Sequence, residues 1–150
     1  SLEELIFQTR LLLPEAQRER IYETLPDQDF LFLRGDGRLL SFALLNGLEN
    51  AIRYSPQGSA VHLTVYAETR DAVAGYGLSL QNDGAALSDE ACERLFEKYA
   101  RGQGQGQPGG LGLGLYLVRR IMESHGGAVA FRPGLSQGVE LLLWLPRGAP

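Results

Sequence analysis

The sequence predicts a layered α/β sandwich, with a mixed, largely antiparallel sheet and helices packed on one face. Two segments, 36–54 and 111–125, carry apolar residues at helical spacing. One pair of segments, 60–68 and 72–82, alternates in polarity across a short connection, and the last two segments of the chain read as a second hairpin. At 150 residues, 44% hydrophobic and 21% charged, the chain is long enough for one buried core without staples.

Each element follows in order. Residues 2–13 (LEELIFQTRLLL) keep helical spacing up to Pro14. RERIYETLPD (18–27) and DFLFLRGD (29–36) read as two short strands turning at Pro26-Asp27. Asp36 is an N-cap candidate for the next helix, which runs to the break Ser55-Pro56-Gln57-Gly58. AVHLTVYAE (60–68) and AVAGYGLSLQN (72–82) form an antiparallel pair around Thr69-Arg70-Asp71. Ser88 opens a short helix over 88–98. ARGQGQGQPGG (100–110) cannot bury a core face and is expected to be a mobile lid-like loop. The 111–125 helix ends at Gly126-Gly127, and GAVAFRP and GVELLLWLP close the chain as a hairpin around Gly134–Gly138.

Composition excludes several classes. A net charge of -4 supplies no basic field for nucleic acid. Cys92 is alone, so no internal disulfide forms, and with only His62 and His125 beside it a structural zinc site is excluded. The single cysteine suits a reducing, cytoplasmic compartment. No apolar run is long enough to span a bilayer, so no membrane contact by this domain is expected. Gly104–Gly109 fits GxGxxG but sits in a low-complexity loop, and Gly134–Gly138 fits GxSxG but joins two strands. Lys98 is the only lysine, which rules out a Walker-type phosphate loop. His62 alternates on a strand, and His125 suits a capping role at a helix end.

Within 36–54, Leu40, Leu44, Leu45, Leu48, Ala51 and Ile52 form an apolar stripe, while Asn46, Asn50, Arg53 and Tyr54 cluster on the opposite side. Asparagine costs roughly half a kcal/mol against alanine inside a helix, so two of them one turn apart invite a reason. They read either as a solvated face or as amide oxygens offered to a hard cation, with Arg53 and Tyr54 beside them for phosphate. Alternation puts Asn82 at the end of the core-facing row Tyr76, Leu78, Leu80, where it reads as a pocket residue or as an Asn-Asp-Gly turn. Gly110, Gly112 and Gly114 lead into a helix, a candidate phosphate cradle that also reads as a hinge.

In this order the segments resemble the ATP-binding catalytic domain of sensor histidine kinases, the Bergerat fold shared with gyrase and MutL-type ATPases. LLNGLENAIRYSP resembles the N box, NDGAALSDE the first glycine box, RLFEKYARG the F box and GLGLGLYLVRRIMESHGG the second glycine box. The resemblance implies that Asn50 coordinates the Mg²⁺ of ATP, that Asn46 supports it, and that Arg53 and Tyr54 contact phosphate and nucleotide, with Asn46, Asn50 and Arg53 as the catalytic set. It places Asn82 at adenine, Gly110, Gly112 and Gly114 near the phosphates and Arg101 on the lid that Phe96 helps to seat, with Gly84 and Leu113 also among the nucleotide-binding residues. The implied partners are a separate phosphoacceptor (dimerisation) domain carrying the acceptor histidine and, through it, a response regulator. The whole of 1–150 is then one catalytic domain, inactive without that acceptor. The related ATPases have a glutamate where this chain has Asn46, which favours phosphoryl transfer over hydrolysis. The first glycine box departs from D-x-G-x-G, with Asn82 at the aspartate and Ala86 at the second glycine. A degenerate domain acting as a protein-interaction module is the alternative.

Overall fold

The computed structural model describes residues 1–28, 31–83, 88, 90, 113–133 and 138–148. Ser1 caps α1 (Leu2–Leu11) by accepting the Glu4 N–H, and Leu2, Ile6 and Thr9 turn inward. Pro14 ends that helix as expected, and it also opens a one-turn helix, α2 (Glu15–Arg18), which the strand assignment from residue 18 overlooked. Only β1 (Ile21–Thr24) survives of the first expected strand pair. The described part of 29–36 is not a strand, although Leu31 is buried and Phe32 exposed as alternation requires. Its backbone groups are taken elsewhere: Leu31 accepts from Leu2 N–H and donates to the Glu3 carboxylate, and Arg34 N–H donates to the Arg147 carbonyl. With its partners spread over a helix start and a strand end, no ladder forms.

Asp36 caps α3 (Gly37–Arg53), its carboxylate accepting from Arg38 N–H at 2.9 Å and Leu39 N–H at 3.2 Å. The hairpin of β2 (Val61–Arg70) and β3 (Val73–Asn82) turns through Asp71 and Ala72, both at positive φ (47° and 65°), one residue later than Thr69-Arg70-Asp71 suggested. The helix α4 (Leu113–Ser124) ends where Gly126 takes φ 73° and Gly127 N–H donates back to Met122. A final antiparallel pair, β4 (Ala128–Pro133) and β5 (Val139–Pro146), completes the chain. The 100–110 loop lies outside the described residues, as does 88–98 apart from Ser88 and Glu90.

The sheet order is β1-β2-β3-β5-β4, parallel only between β1 and β2. On its inner face Leu63 pairs with Leu80 and Leu80 with Leu141, while Val65, Leu78 and Leu143 form the next row. These side chains meet α1, α3 and α4 in one core. Gly47 lets α3 come close, since a Cβ there would lie 2.9 Å from Leu80 Cδ1. The outer face carries no helix among the described residues, and rings cover it instead. Tyr66 lies against Gly77 and Trp144 against Gly75, and the Arg70 guanidinium sits 5.4 Å from the Trp144 ring centre. No helix of the described residues is long and apolar enough to cross a membrane.

Candidate nucleotide site

The polar ridge of α3 stands where its periodicity put it. Asn46, Asn50 and Tyr54 are half-buried and Arg53 is exposed, while Leu40, Ala43, Leu44, Gly47, Leu48, Ala51 and Ile52 are buried on the other side. Leu45, expected in the core stripe, is only half-buried. The two ridge asparagines differ in their surroundings. Asn46 Nδ2 donates to the Phe42 carbonyl at 2.8 Å, which turns Oδ1 toward α4. There a Cβ added to Gly114 would lie 2.6 Å from that oxygen, so α4 can approach only because residue 114 has no side chain. The contact brings Gly114, at the start of α4, onto the asparagine ridge.

A second contact fixes the other end of the helix pair. His125 Nε2 accepts the Asp36 N–H at 3.0 Å, so the proton is on Nδ1, which donates to the Ile121 carbonyl at 2.8 Å. The expected capping role of His125 is thus joined by one the sequence did not suggest, a link between the end of α4 and the start of α3. Contacts at 46/114 and 36/125 make the two helices antiparallel and put the start of α4 beside Asn46, the first residue of the ridge.

The C-terminal turn of α3 is held from two sides. Arg20 donates through Nε to the Ser59 carbonyl at 2.7 Å and through Nη2 to Ser55 Oγ and the Pro56 carbonyl, clamping the segment after the helix. From the sheet, Asn82 Nδ2 donates to the Ala51 carbonyl at 3.1 Å, and its Oδ1 accepts the Val139 N–H at 3.0 Å. Asn82 is 3% exposed and lies on the inner face, as alternation placed it, in an inter-element bridge rather than a local turn. The roles of Arg20 and of the Ala51 and Val139 backbones were not legible in the sequence, because they are a long-range guanidinium contact and two backbone groups. Gly84, Phe96, Arg101, Gly110 and Gly112 lie outside the described residues, while Leu113 and Gly114 open α4.

A hard cation fits this donor set only in company. Among the described residues no group of three or more His, Cys, Asp or Glu could hold a metal, and the ridge offers neutral amide oxygens. Mg²⁺ suits such a site, since it keeps several waters and shares its remaining positions between a few protein oxygens and substrate phosphates.

The chain is similar to known proteins in sequence and in fold. The sensor protein QseC of Salmonella typhi is 37% identical over 109 residues, covering 73% of this chain and 22% of QseC, so the chain spans less than a quarter of that relative. The catalytic domain of histidine kinase ThkA, solved nucleotide-free, shares the fold with a TM-score of 0.77 at 24% identity, over 97% of this chain and 93% of that one. Full-length ShkA in complex with AMPPNP aligns with a TM-score of 0.75 at 27% identity, over 100% of this chain and 31% of ShkA. The family model for histidine kinase-, DNA gyrase B- and HSP90-like ATPases matches residues 35–149, from the cap of α3 to the end of the sheet, and the chain belongs to that family as an ATPase domain of the sensor histidine kinase type.

Proposed function

We propose that residues 1–150 form one catalytic domain that binds ATP with Mg²⁺ and donates the γ-phosphate to a histidine on a separate phosphoacceptor domain, from which a response regulator is served. The observation that carries this reading is the seating of Gly114 against Asn46, which sets the start of α4 beside the first residue of a ridge of amide and guanidinium groups. Backbone N–H groups at a helix start favour anions, and Arg53 adds a positive charge along the same ridge.

Asn50, one turn beyond Asn46, offers its amide oxygen to the cation, with Asn46 in support. Mg²⁺ bound there would neutralise charge on the phosphate oxygens during transfer. Asn82 Oδ1 keeps one lone pair after accepting from Val139, and that lone pair can accept from the adenine amino group. Gly84, Gly110, Gly112, Leu113, Arg101 and Phe96 complete the site by resemblance. Asn46 is a neutral amide and cannot take a proton from water at neutral pH, so hydrolysis lacks its base and transfer to an imidazole is favoured. Such transfer needs positioning and charge neutralisation, which the ridge supplies. The domain would work on the cytoplasmic side of a membrane-bound sensor.

Calorimetric titration of the 150-residue chain with ADP and a non-hydrolysable ATP analogue, with and without Mg²⁺ and with GTP as control, tests the proposal. Magnesium-dependent, adenine-selective binding is expected. No binding at millimolar nucleotide would refute it and favour the protein-interaction module.

A further inference from the structure

We infer that Asn82 is a positioning residue, a latch that sets the last turn of α3 against the sheet, and that this task requires an amide where the family pattern has an aspartate. The inference rests on the nucleotide reading above. The last turn of a helix leaves carbonyls without intrahelical partners. In α3 the Asn50 carbonyl accepts Tyr54 N–H and the Ile52 carbonyl accepts Ser55 N–H and Ser55 Oγ. The Ala51 carbonyl, pointing at the sheet, takes its hydrogen bond from Asn82 Nδ2. The other end of the same amide accepts Val139 N–H, so one side chain joins α3, β3 and β5 in a buried setting.

Both bonds also fix which way the amide faces. Flipping it would set Oδ1 against the Ala51 carbonyl and the Nδ2 hydrogens against the Val139 N–H, two repulsive contacts in place of two bonds. An aspartate could still accept from Val139, yet its second oxygen has no proton for Ala51 and would sit 3.1 Å from a carbonyl at the negative end of the helix dipole. Ala51 lies between Asn50, assigned to the cation, and Arg53 and Tyr54, assigned to phosphate and nucleotide. Releasing its carbonyl therefore loosens the turn that aims all three, with the clearest effect on the magnesium-dependent part of binding. The residue that looks like a departure from the family is then matched to its surroundings, and restoring the family residue is expected to harm the site.

The experiment compares the unaltered chain with Asn82→Asp and Asn82→Ala. Thermal unfolding is read first, then ADP titrations with and without Mg²⁺ well below the melting temperature. Both variants are expected to melt lower. The factor by which Mg²⁺ strengthens ADP binding should fall roughly tenfold, the loss expected for one buried unpaired group acting on a ligand-bearing turn. A purely structural residue would lower the melting point and leave that factor unchanged, which would overturn the positioning role. Tighter ADP binding by Asn82→Asp would overturn it equally. If the unaltered chain binds no Mg–ADP, the nucleotide reading itself is refuted and the positioning role falls with it. Should neither variant fold, side-chain amide exchange in the unaltered chain decides: one Asn82 N–H should exchange slowly, and fast exchange of both would overturn the latch.

Discussion

Replacing Gly114 by alanine tests the seat between α4 and the asparagine ridge. The new Cβ would lie 2.6 Å from Asn46 Oδ1, some 0.8 Å inside the 3.4 Å at which ordinary contact begins. Asn46 cannot yield freely, since its Nδ2 is bonded to the Phe42 carbonyl at 2.8 Å. Either that bond is surrendered, at about 1 kcal/mol, or the start of α4 moves away from the ridge. Against this, alanine at a helical position is worth about 0.5–1 kcal/mol over glycine. The two effects nearly cancel, so the melting temperature of Gly114→Ala should stay within about 4 °C of the unaltered chain, while Mg–ADP affinity falls roughly tenfold or more. The double variant with Asn46→Ala separates the contributions. With no oxygen to meet, the alanine at 114 should show its helical gain as a rise of about 2–4 °C over Asn46→Ala alone, a positive coupling between the sites. Four chains in one thermal and calorimetric series suffice. If Gly114→Ala shifts stability equally in both backgrounds, the contact with Asn46 is not what excludes a side chain, and the reasoning fails.

Ala72 sits at φ 65° in the β2–β3 turn, where an L-residue is strained, so Ala72→Gly should raise stability by about 1 kcal/mol in chemical denaturation. An unchanged or lower midpoint would contradict that turn geometry. Burial, then the charges of Glu68 and Glu140, push the Tyr66 phenol above its ordinary 10.0 against the pull of Arg132 and Arg70. A folded value above the unfolded one means a contribution fully present below pH 10.0 and lost as pH rises through the folded value. Tyr66→Phe, which keeps the ring over Gly77, should flatten the alkaline limb of stability against pH, and an equally steep limb would refute the shift. Nucleotide at about one hundred times its Kd should raise the melting temperature by roughly 5–10 °C. In Asn50→Ala the nucleotide-free melting point should barely move and the Mg²⁺-dependent part of that rise should vanish; its persistence would remove Asn50 from the cation.

Elements whose side chains report a single neighbouring surface were legible in the sequence. The stripe of α3, the alternation of β2 and β3 and the Gly126 stop of α4 each follow from local periodicity or one backbone angle. Segment 29–36 was not, because alternation records which side chains are buried and says nothing of where the backbone groups go. Leu31 is as buried as a strand residue, yet its N–H and carbonyl are consumed by Glu3 and Leu2. The α2 turn was missed for a related reason: four residues carry too little periodicity to outweigh the β-like run after them.

The candidate site shows the same division more sharply. Asn46, Asn50, Arg53 and Tyr54 could be grouped from helical spacing, since one helix and its C-cap carry them all. Asn82 could be put on the inner face by alternation, but its work depends on Ala51, 31 residues earlier, and Val139, 57 residues later, through backbone groups that any residue would supply. No composition or spacing encodes such a pairing. A pattern written as aspartate therefore makes asparagine look like decay, whereas the Ala51 carbonyl, bonded by Asn82 at the end of α3, makes a donor at position 82 a requirement of this chain's own packing. Whether a motif position has been lost depends on what its second polar atom meets, and here that atom meets the carbonyl of the helix it holds.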